Sequence, residues 1–446
     1  MELRDLLVTP IVILVVYILA HLARPYVTDS VTRAYFFPAL TLRIVCSISL
    51  GLLYQFYYKG GDTFNYHTLG SRIVWEAFIR EPIAGVKLIF GELNPGSGLY
   101  EYTSRILFVR DPNSYFLVRI AAFFDLFTFS SYSGTAVLFA AVSFSGAWAF
   151  FLTFYKKIPS LHFQLSLGVL FIPSVVFWGS GILKDTIVVA AIGFATHYID
   201  LLFIQKKRRL RYFIFLLISL FVILEVRKFI LQAFIPAAIL WIYIQRLMSI
   251  KSLVVRALIF PLLFIFITYG AYWAVVKVGE GDSRYAIDKI TTTAQITAYD
   301  IGFFTGKDAG SRYSLGELDG TFSDMLSKAP AAINVSLFRP YLWEIRSPLM
   351  LFSAFESFLF TILLGYILMS KNTRIFSTLK RPDIIFTVTV SIILAFAVGI
   401  TSYNFGTLSR YKIQFLPFFA VAMILITHYS KRERKFDEFD STEYRS

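Results

Sequence analysis

"MELRDLLVTPIVILVVYILAH", residues 1–21, is an apolar run whose formal charges fall within its first five residues, with no small-residue cleavage site after it. It reads as a first membrane-spanning helix, and no removed signal peptide is expected. Working outward, runs of about 18 to 22 apolar residues recur along the chain. The sequence is 57% hydrophobic and 18% aromatic, a composition that excludes a soluble globular protein. Length and apolarity predict spans at 7–23, 37–57, 134–154, 162–179, 183–204, 211–225, 229–246, 254–277, 348–370, 383–402 and 411–429. The expected fold is therefore an all-α polytopic membrane protein with about eleven transmembrane helices plus juxtamembrane helices in outer-face loops. It forms a single integral membrane domain over 1–446, with outer-face loops at 58–133 and 278–347 and a disordered cytoplasmic tail at 430–446.

The net charge of +14 would suggest nucleic acid in a soluble chain. Here much of the cation lies in the short inter-helix loops "FYKKIP" (154–159), "QKKRRLR" (205–211), "QRLMSIKS" (245–252) and "SKNTRIFSTLKRP" (370–382), and in the tail "SKRERK" (430–435). These belong in the cytoplasm, and no nucleic-acid partner is expected. Their alternation puts the N-terminus and the 58–133 loop outside. The stretch "SYFLVRIAAFFDLFTFSS" (114–131) is long enough to span, but Arg119 and Asp125 in its middle favour a juxtamembrane or re-entrant helix. The single cysteine, Cys46, excludes an intramolecular disulfide or a cysteine cluster, and the five histidines are widely scattered. Neither metal nor cofactor is expected.

The outer face collects an unusual polar set. "YYKGGDTFNYH" (57–67) follows the second span; "WGSGILKD" (178–185), "LEVRK" (224–228), "SLFRPYLWE" (336–344) and "NFGTLSRYK" (404–412) share its side of the membrane. Lys59, Lys184, Arg227, Lys228, Arg339, Arg346, Arg410 and Lys412 all fall there, against the positive-inside rule. Singly such residues are snorkelling anchors; as a set they suggest an anionic ligand.

In "WGSGILKD", the Gly179–Ser180–Gly181 break predicts a fresh helix N-terminus with Lys184 one turn in and Asp185 beside it, an anion-binding arrangement. In "NFGTLSRYK", Asn404 and Gly406 make a turn, Thr407 is the expected N-cap and Arg410 the third helical position. Two such ends suit a diphosphate. In "YYKGGDTFNYH", Gly60 and Gly61 allow a sharp turn and close backbone approach, and Asp62 is a candidate general base on a hydroxyl. Tyr58, Tyr66 and Trp75 offer faces for sugar rings. His67 shares a proton or bonds a backbone carbonyl. The ordinary alternative for Asp62 is an Asx turn or a salt bridge to a nearby cation.

These residues resemble a known family. A first span, a short basic loop, a second span and then Gly61, Asp62, Thr63 and Tyr66 resemble the start of the EpsG family of polysaccharide polymerases. "SGILKDTIVVAAIG" is similar to a later outer-face motif of that family, with Lys184 where an arginine is expected. "NFGTLSRYKIQFLPFF" resembles the final Asn-x-Gly-x-x-x-Arg-Tyr segment of Wzy-like polymerases and related GT-C membrane glycosyltransferases. The resemblance implies a multi-pass enzyme of the bacterial plasma (inner) membrane, working at the outer leaflet on polyprenyl-diphosphate-linked glycans. Its partners would be that lipid-linked substrate, membrane lipids and other glycan-assembly membrane proteins.

On this reading Asp62 and Arg410 are catalytic, and Lys59, Tyr66, His67, Lys184, Asp185, Arg227, Arg339, Asn404 and Lys412 bind substrate. Two alternatives remain open: a GT-C transferase adding a single sugar from a polyprenyl-phosphate donor, and a transporter or flippase for an anionic lipid or glycan. The first would place an acid after the first span, where only Asp29 stands. The second needs polar residues through the depth of the spans, where they are sparse.

Overall fold

The computed structural model describes residues 2–93, 96–250, 252, 269–270, 272–279, 286, 289–302, 311–369 and 375–443, with the side chains of the last helix as far as Ser430. Among the described residues every regular element is a helix. In chain order these are α1 (Leu3–Val27), α2 (Arg33–Leu52, prolonged by a π turn to Tyr57), α3 (Asp62–Tyr66), α4 (Arg72–Arg80), α5 (Pro82–Phe90), α6 (Tyr100–Thr103), α7 (Pro112–Thr128) and α8 (Tyr132–Tyr155). Then come α9 (His162–Leu170), α10 (Pro173–Trp178), α11 (Lys184–Ile199, prolonged to Ile204), α12 (Leu210–Val226), α13 (Lys228–Met248) and α14 (Ile290–Asp300). The remainder are α15 (Phe322–Ser327), α16 (Ala329–Phe338), α17 (Pro348–Met369), α18 (Ile375–Thr378), α19 (Pro382–Ser402), α20 (Phe405–Tyr411) and α21 (Leu416–Glu443).

Among the described residues seven helices, α1, α2, α8, α11, α13, α17 and α19, are long and apolar enough to cross a membrane, and α20 with α21 makes an eighth if that pair, bent by 62°, is one span. The chain is an all-α, multi-pass membrane protein. The eleven expected spans are not all present as continuous helices. Residues 162–179 form α9 and α10 because Pro173 has no N–H to donate and disfavours helix in the residue before it. The 211–225 stretch is α12, only 17 residues long. Most of 254–277 lies outside the described residues. The last span is bent after Gln414. α21 runs on to Glu443, through the stretch expected to be an unstructured tail.

The chain divides into two compact units. The first contains residues 1–162, 175–197 and 214–227. Its axis is α8, buried along nearly its whole length and packed on α1, α2 and α7. Small residues let backbones close in: a Cβ on Gly146 would lie 2.3 Å from Ala190 O, and one on Gly193 would lie 2.2 Å from Gly146 O. α8 and α11 therefore touch at backbone distance. Arg43 of α2 is fully buried and donates to Ser143 Oγ (2.7 Å) and Gly179 O (3.0 Å), clasping the break before α11. α1 leaves Leu6, Leu7, Ile11, Leu14, Ile18 and Leu22 exposed, the apolar face a lipid-bathed helix presents.

α7 carries its two charges without exposing either to lipid alone. Arg119 bonds Gly91 O and lies over the Tyr115 ring, and Asp125 accepts from Thr135 Oγ1 at 2.6 Å. Phe129 and Ser130 turn left-handed to end it, and Ser131 caps α8 by accepting from Gly134 N.

The second unit contains residues 163–174, 198–213 and 228–446. α19 is its centre, packed on α13, α14, α16 and α21. A Cβ on Gly399 would lie 2.1 Å from Ala332 O, so α16 crosses α19 at backbone contact. Trp241 of α13 stacks on Phe386 at 4.3 Å and donates its Nε1–H to Asp383 Oδ1.

Candidate functional site

The "YYKGGDTFNYH" loop is shaped by its two glycines. Gly60 (φ +134°) and Gly61 (φ +121°) adopt backbone that side chains rarely tolerate, and a Cβ on Gly61 would strike the Tyr54 ring at 2.9 Å. The chain thus folds back from α2, with Gly60 N donating to Tyr54 O, and restarts as α3 with Asp62 at its first position. Tyr54, Tyr58, Lys59, Gly60, Gly61 and Asp62 line a cavity of about 490 Å³. Asp62 is half-buried, Lys59 and Tyr58 exposed, so a carboxylate, an ammonium and a phenol ring face one opening.

The rest of the stretch points inward. Tyr66 is in the core against Phe108. His67 is fully buried, with Nε2 3.6 Å from Asp125 Oδ1 and its ring edge-on to Tyr132. Neither residue lines the cavity at Asp62, and both are packed in the core behind α3. Thr63 is tied to that core through a 2.7 Å bond between its Oγ1 and Tyr132 Oη.

At the other predicted motif, α11 begins at Lys184 itself rather than one turn earlier, so the ammonium springs from the helix start. Four charges meet there. Lys184 Nζ lies 3.4 Å from Asp111 Oδ2, and Arg227 Nη2 lies 2.8 Å from Asp185 Oδ1. Asp185 is wholly buried, Lys184 and Arg227 largely so, and Asp111 is the partner open to solvent. Lys184 also feels the charges of Arg227 and Asp185. The contact to Asp111 is the weaker of these two pairs, well beyond the usual length of a charge-assisted hydrogen bond.

One hydrophobic cluster carries both loops. Tyr66, four residues after Asp62, and Ile182 and Ile187, on either side of Lys184, belong to the same buried set with Tyr132, Ile106 and Leu117. The first unit thus brings Asp62, Lys59, Tyr66, His67, Lys184, Asp185 and Arg227 onto one support.

The remaining candidates lie in the second unit. Arg339 binds Glu344 through Nε (3.0 and 3.1 Å) and Nη2, and its guanidinium stands over the rings of Phe405 (5.3 Å), Tyr341 (5.7 Å) and Tyr313 (5.9 Å). Partial burial opposes ionisation of Glu344, but hydrogen bonds from Arg339 and Tyr341 N outweigh it and hold the carboxyl below its ordinary value. The same bond raises Arg339.

Asn404, not Thr407, is the N-cap of α20, its Oδ1 accepting from Gly406 N and Thr407 N. Arg410 consequently falls at the sixth helical position, more than a turn from the helix start, and lies 5.8 Å from the Tyr411 ring. Lys412 is 1% exposed, with Nζ 3.2 Å from Ser357 Oγ and 3.9 Å from Glu356 Oε1. Glu356 in turn accepts from Ser174 N and Oγ. Lys412 is thus a buried ion facing the buried Glu356.

The partners Asp111, Glu344, Glu356 and Asp125 were not singled out as functional residues. Glu356 stands alone in the apolar run "LMLFSAFESFLFTILL" (349–364), a signal of a buried partner in itself. Asp111 precedes Pro112 at a helix start, and only the fold reveals its pairing. Comparisons of this chain with protein-family models, with curated proteins and with solved structures find no match.

Proposed function

We propose that the protein is a membrane glycosyltransferase of bacterial cell-surface polysaccharide assembly, acting on polyprenyl-diphosphate-linked glycans at the outer leaflet of the inner membrane. The observation that carries this reading is the shared hydrophobic cluster under the Asp62 loop and the Lys184–Arg227 cations. Transfer breaks the bond between the anomeric carbon and the diphosphate oxygen and forms one to an acceptor hydroxyl oxygen. The leaving diphosphate takes the bonding electron pair and needs cations; the acceptor must lose a proton. Lys184, loosely held by Asp111, exchanges that carboxylate for a phosphate oxygen, and Arg227, oriented by buried Asp185, supplies a directed donor. Asp62, at a cavity open to an incoming chain, takes the acceptor proton.

The test uses full-length protein in vesicles with a lipid-diphosphate oligosaccharide donor. Asp62→Asn lowers turnover by about 10²- to 10⁴-fold, the usual contribution of a general base, while donor binding persists. Lys184→Ala weakens donor binding as well. Full turnover by Asp62→Asn removes it as base. Donor crossing the bilayer with no new glycosidic bond replaces the enzyme by a transporter.

A further inference from the structure

α5 is apolar on both faces. Ala84, Leu88 and Ile89 turn into the cluster that holds Tyr102, Ile106 and Tyr115, while Ile83, Val86 and Phe90 form an opposite stripe exposed at 75%, 46% and 71%. The helix is firmly placed. Gly85 sits so close to Phe78 that a Cβ would lie 2.4 Å from its Cα, and Tyr115 Oη donates to Leu88 O. Ile79, four residues before Ile83, is also exposed. Leaving such a stripe in water forgoes about 25 cal/mol per Å² of apolar surface, and contiguous stripes of this kind mark a surface covered by lipid or partner. Yet nine residues extend only about 14 Å, half of what a bilayer core requires. Such a helix lies in the interface with its stripe among the acyl chains.

Near its C-terminal end is a cavity of about 920 Å³. Leu93, just past the end of α5, lines it with Leu69, Ile106, Leu107 and Val109, which give it an apolar wall. The opposite character comes from Arg105, Arg110 and the hydroxyls of Thr103 and Ser104, and no carboxylate is among the lining residues. Arg105 keeps one nitrogen on Glu76 at 2.9 Å. Arg110 has no carboxylate partner among the described residues. Leu107 N donates to Leu69 O and fixes the segment carrying both arginines.

We propose that this cavity binds the phosphate headgroup of an anionic membrane phospholipid, Arg110 meeting the phosphate while the α5 stripe lies in the same leaflet. The site uses none of the residues given a role in the transfer chemistry above and does not depend on it, although Arg110 directly precedes Asp111, the partner of Lys184. An apolar wall joined to a donor-rich one matches an amphiphile, and the volume exceeds what a free phosphate fills. Guanidinium is the side chain best shaped for two phosphate oxygens.

The experiment is native mass spectrometry of the full-length, delipidated protein in neutral detergent, with phosphatidylglycerol, phosphatidylcholine or inorganic phosphate added. Phosphatidylglycerol is retained in preference to phosphatidylcholine, and Arg110→Ala weakens its retention roughly tenfold, the loss of one charged hydrogen-bonding group. Arg110→Lys keeps an intermediate affinity. Lys87→Ala, an exposed cation of α5 that does not line the cavity, leaves retention unchanged. Equal retention by wild type and Arg110→Ala overturns the proposal, as does an equal loss in Lys87→Ala, which would mean diffuse surface charge. Displacement of the lipid by an equal concentration of inorganic phosphate overturns it too, leaving a simple anion site. If Arg110→Ala melts early without lipid, Arg110→Lys and Lys87→Ala decide alone.

Discussion

Lys412 and Glu356 sit deep in the second unit, at 1% and 4% exposure, with the pair's remaining polar atoms turned to Ser357 and Ser174. Burying both ions costs desolvation that their attraction only just returns, but removing one leaves the other uncompensated. Lys412→Met therefore destabilises the protein by about 3–5 kcal/mol, and Lys412→Met with Glu356→Gln recovers most of it. Thermal midpoints of the single and double variants in detergent check this; equal midpoints for the two would place Glu356's partner elsewhere. Arg339 and Glu344 give a pH signature instead. The Glu344 carboxyl is lower in the folded protein than in the unfolded chain, so its stabilisation is complete above the unfolded value and disappears as pH falls through the folded one. Wild type loses thermal stability on acidification below about pH 4.5, and Glu344→Gln shows a flatter profile over that window. The charges themselves were legible in the sequence. Their partners were not: Lys184 and Asp111 are 73 residues apart, and periodicity contains no pairing information.

At the scale of the helix, length and apolarity were good guides where a span is uninterrupted. The stretches 183–204, 348–370 and 383–402 match α11, α17 and α19 closely because caps and polar loops bound them. The 162–179 stretch failed because its hydropathy hid Pro173, and the third-position reading of Arg410 failed because Asn404, three residues before Thr407, took the cap. The contact between α8 and α11 depends on glycine in a way hydropathy also misses. Gly146→Leu inserts a side chain where Ala190 O and Cα lie within 2.4 Å of its Cβ, so the helices must separate. Overpacking of this kind costs about 1–3 kcal/mol and more where backbone is struck. The expected result is a lowered thermal midpoint for Gly146→Leu, against a near-native one for Gly365→Leu, whose Cβ meets nothing within 4 Å. Equal midpoints would mean that α8 and α11 are not in backbone contact.

For the whole molecule, the question that joins fold to proposed chemistry is which side of the membrane holds 58–133. α7 decides it. At 17 residues it extends about 26 Å, short of a full hydrocarbon core, and its Arg119 and Asp125 are both bonded within the unit. If α7 does not cross while α8 and the α9–α10 pair do, the Asp62 loop faces outward with Lys184, and the basic stretch 205–211, one 21-residue span beyond Lys184, faces the cytoplasm. Gly96 is exposed with nothing within 4 Å of a Cβ, and Arg208 is exposed in the basic loop, so each accepts a cysteine without disturbing a contact. In a Cys46→Ala background, a membrane-impermeant maleimide added to intact cells labels Gly96→Cys at once. Arg208→Cys reacts only after the membrane is opened. Protection of Gly96→Cys in intact cells would mean that α7 crosses after all. Asp62 would then face the cytoplasm, and an outer-leaflet polymerase built on it could not stand, because a lipid-linked glycan presented outside would never meet its base.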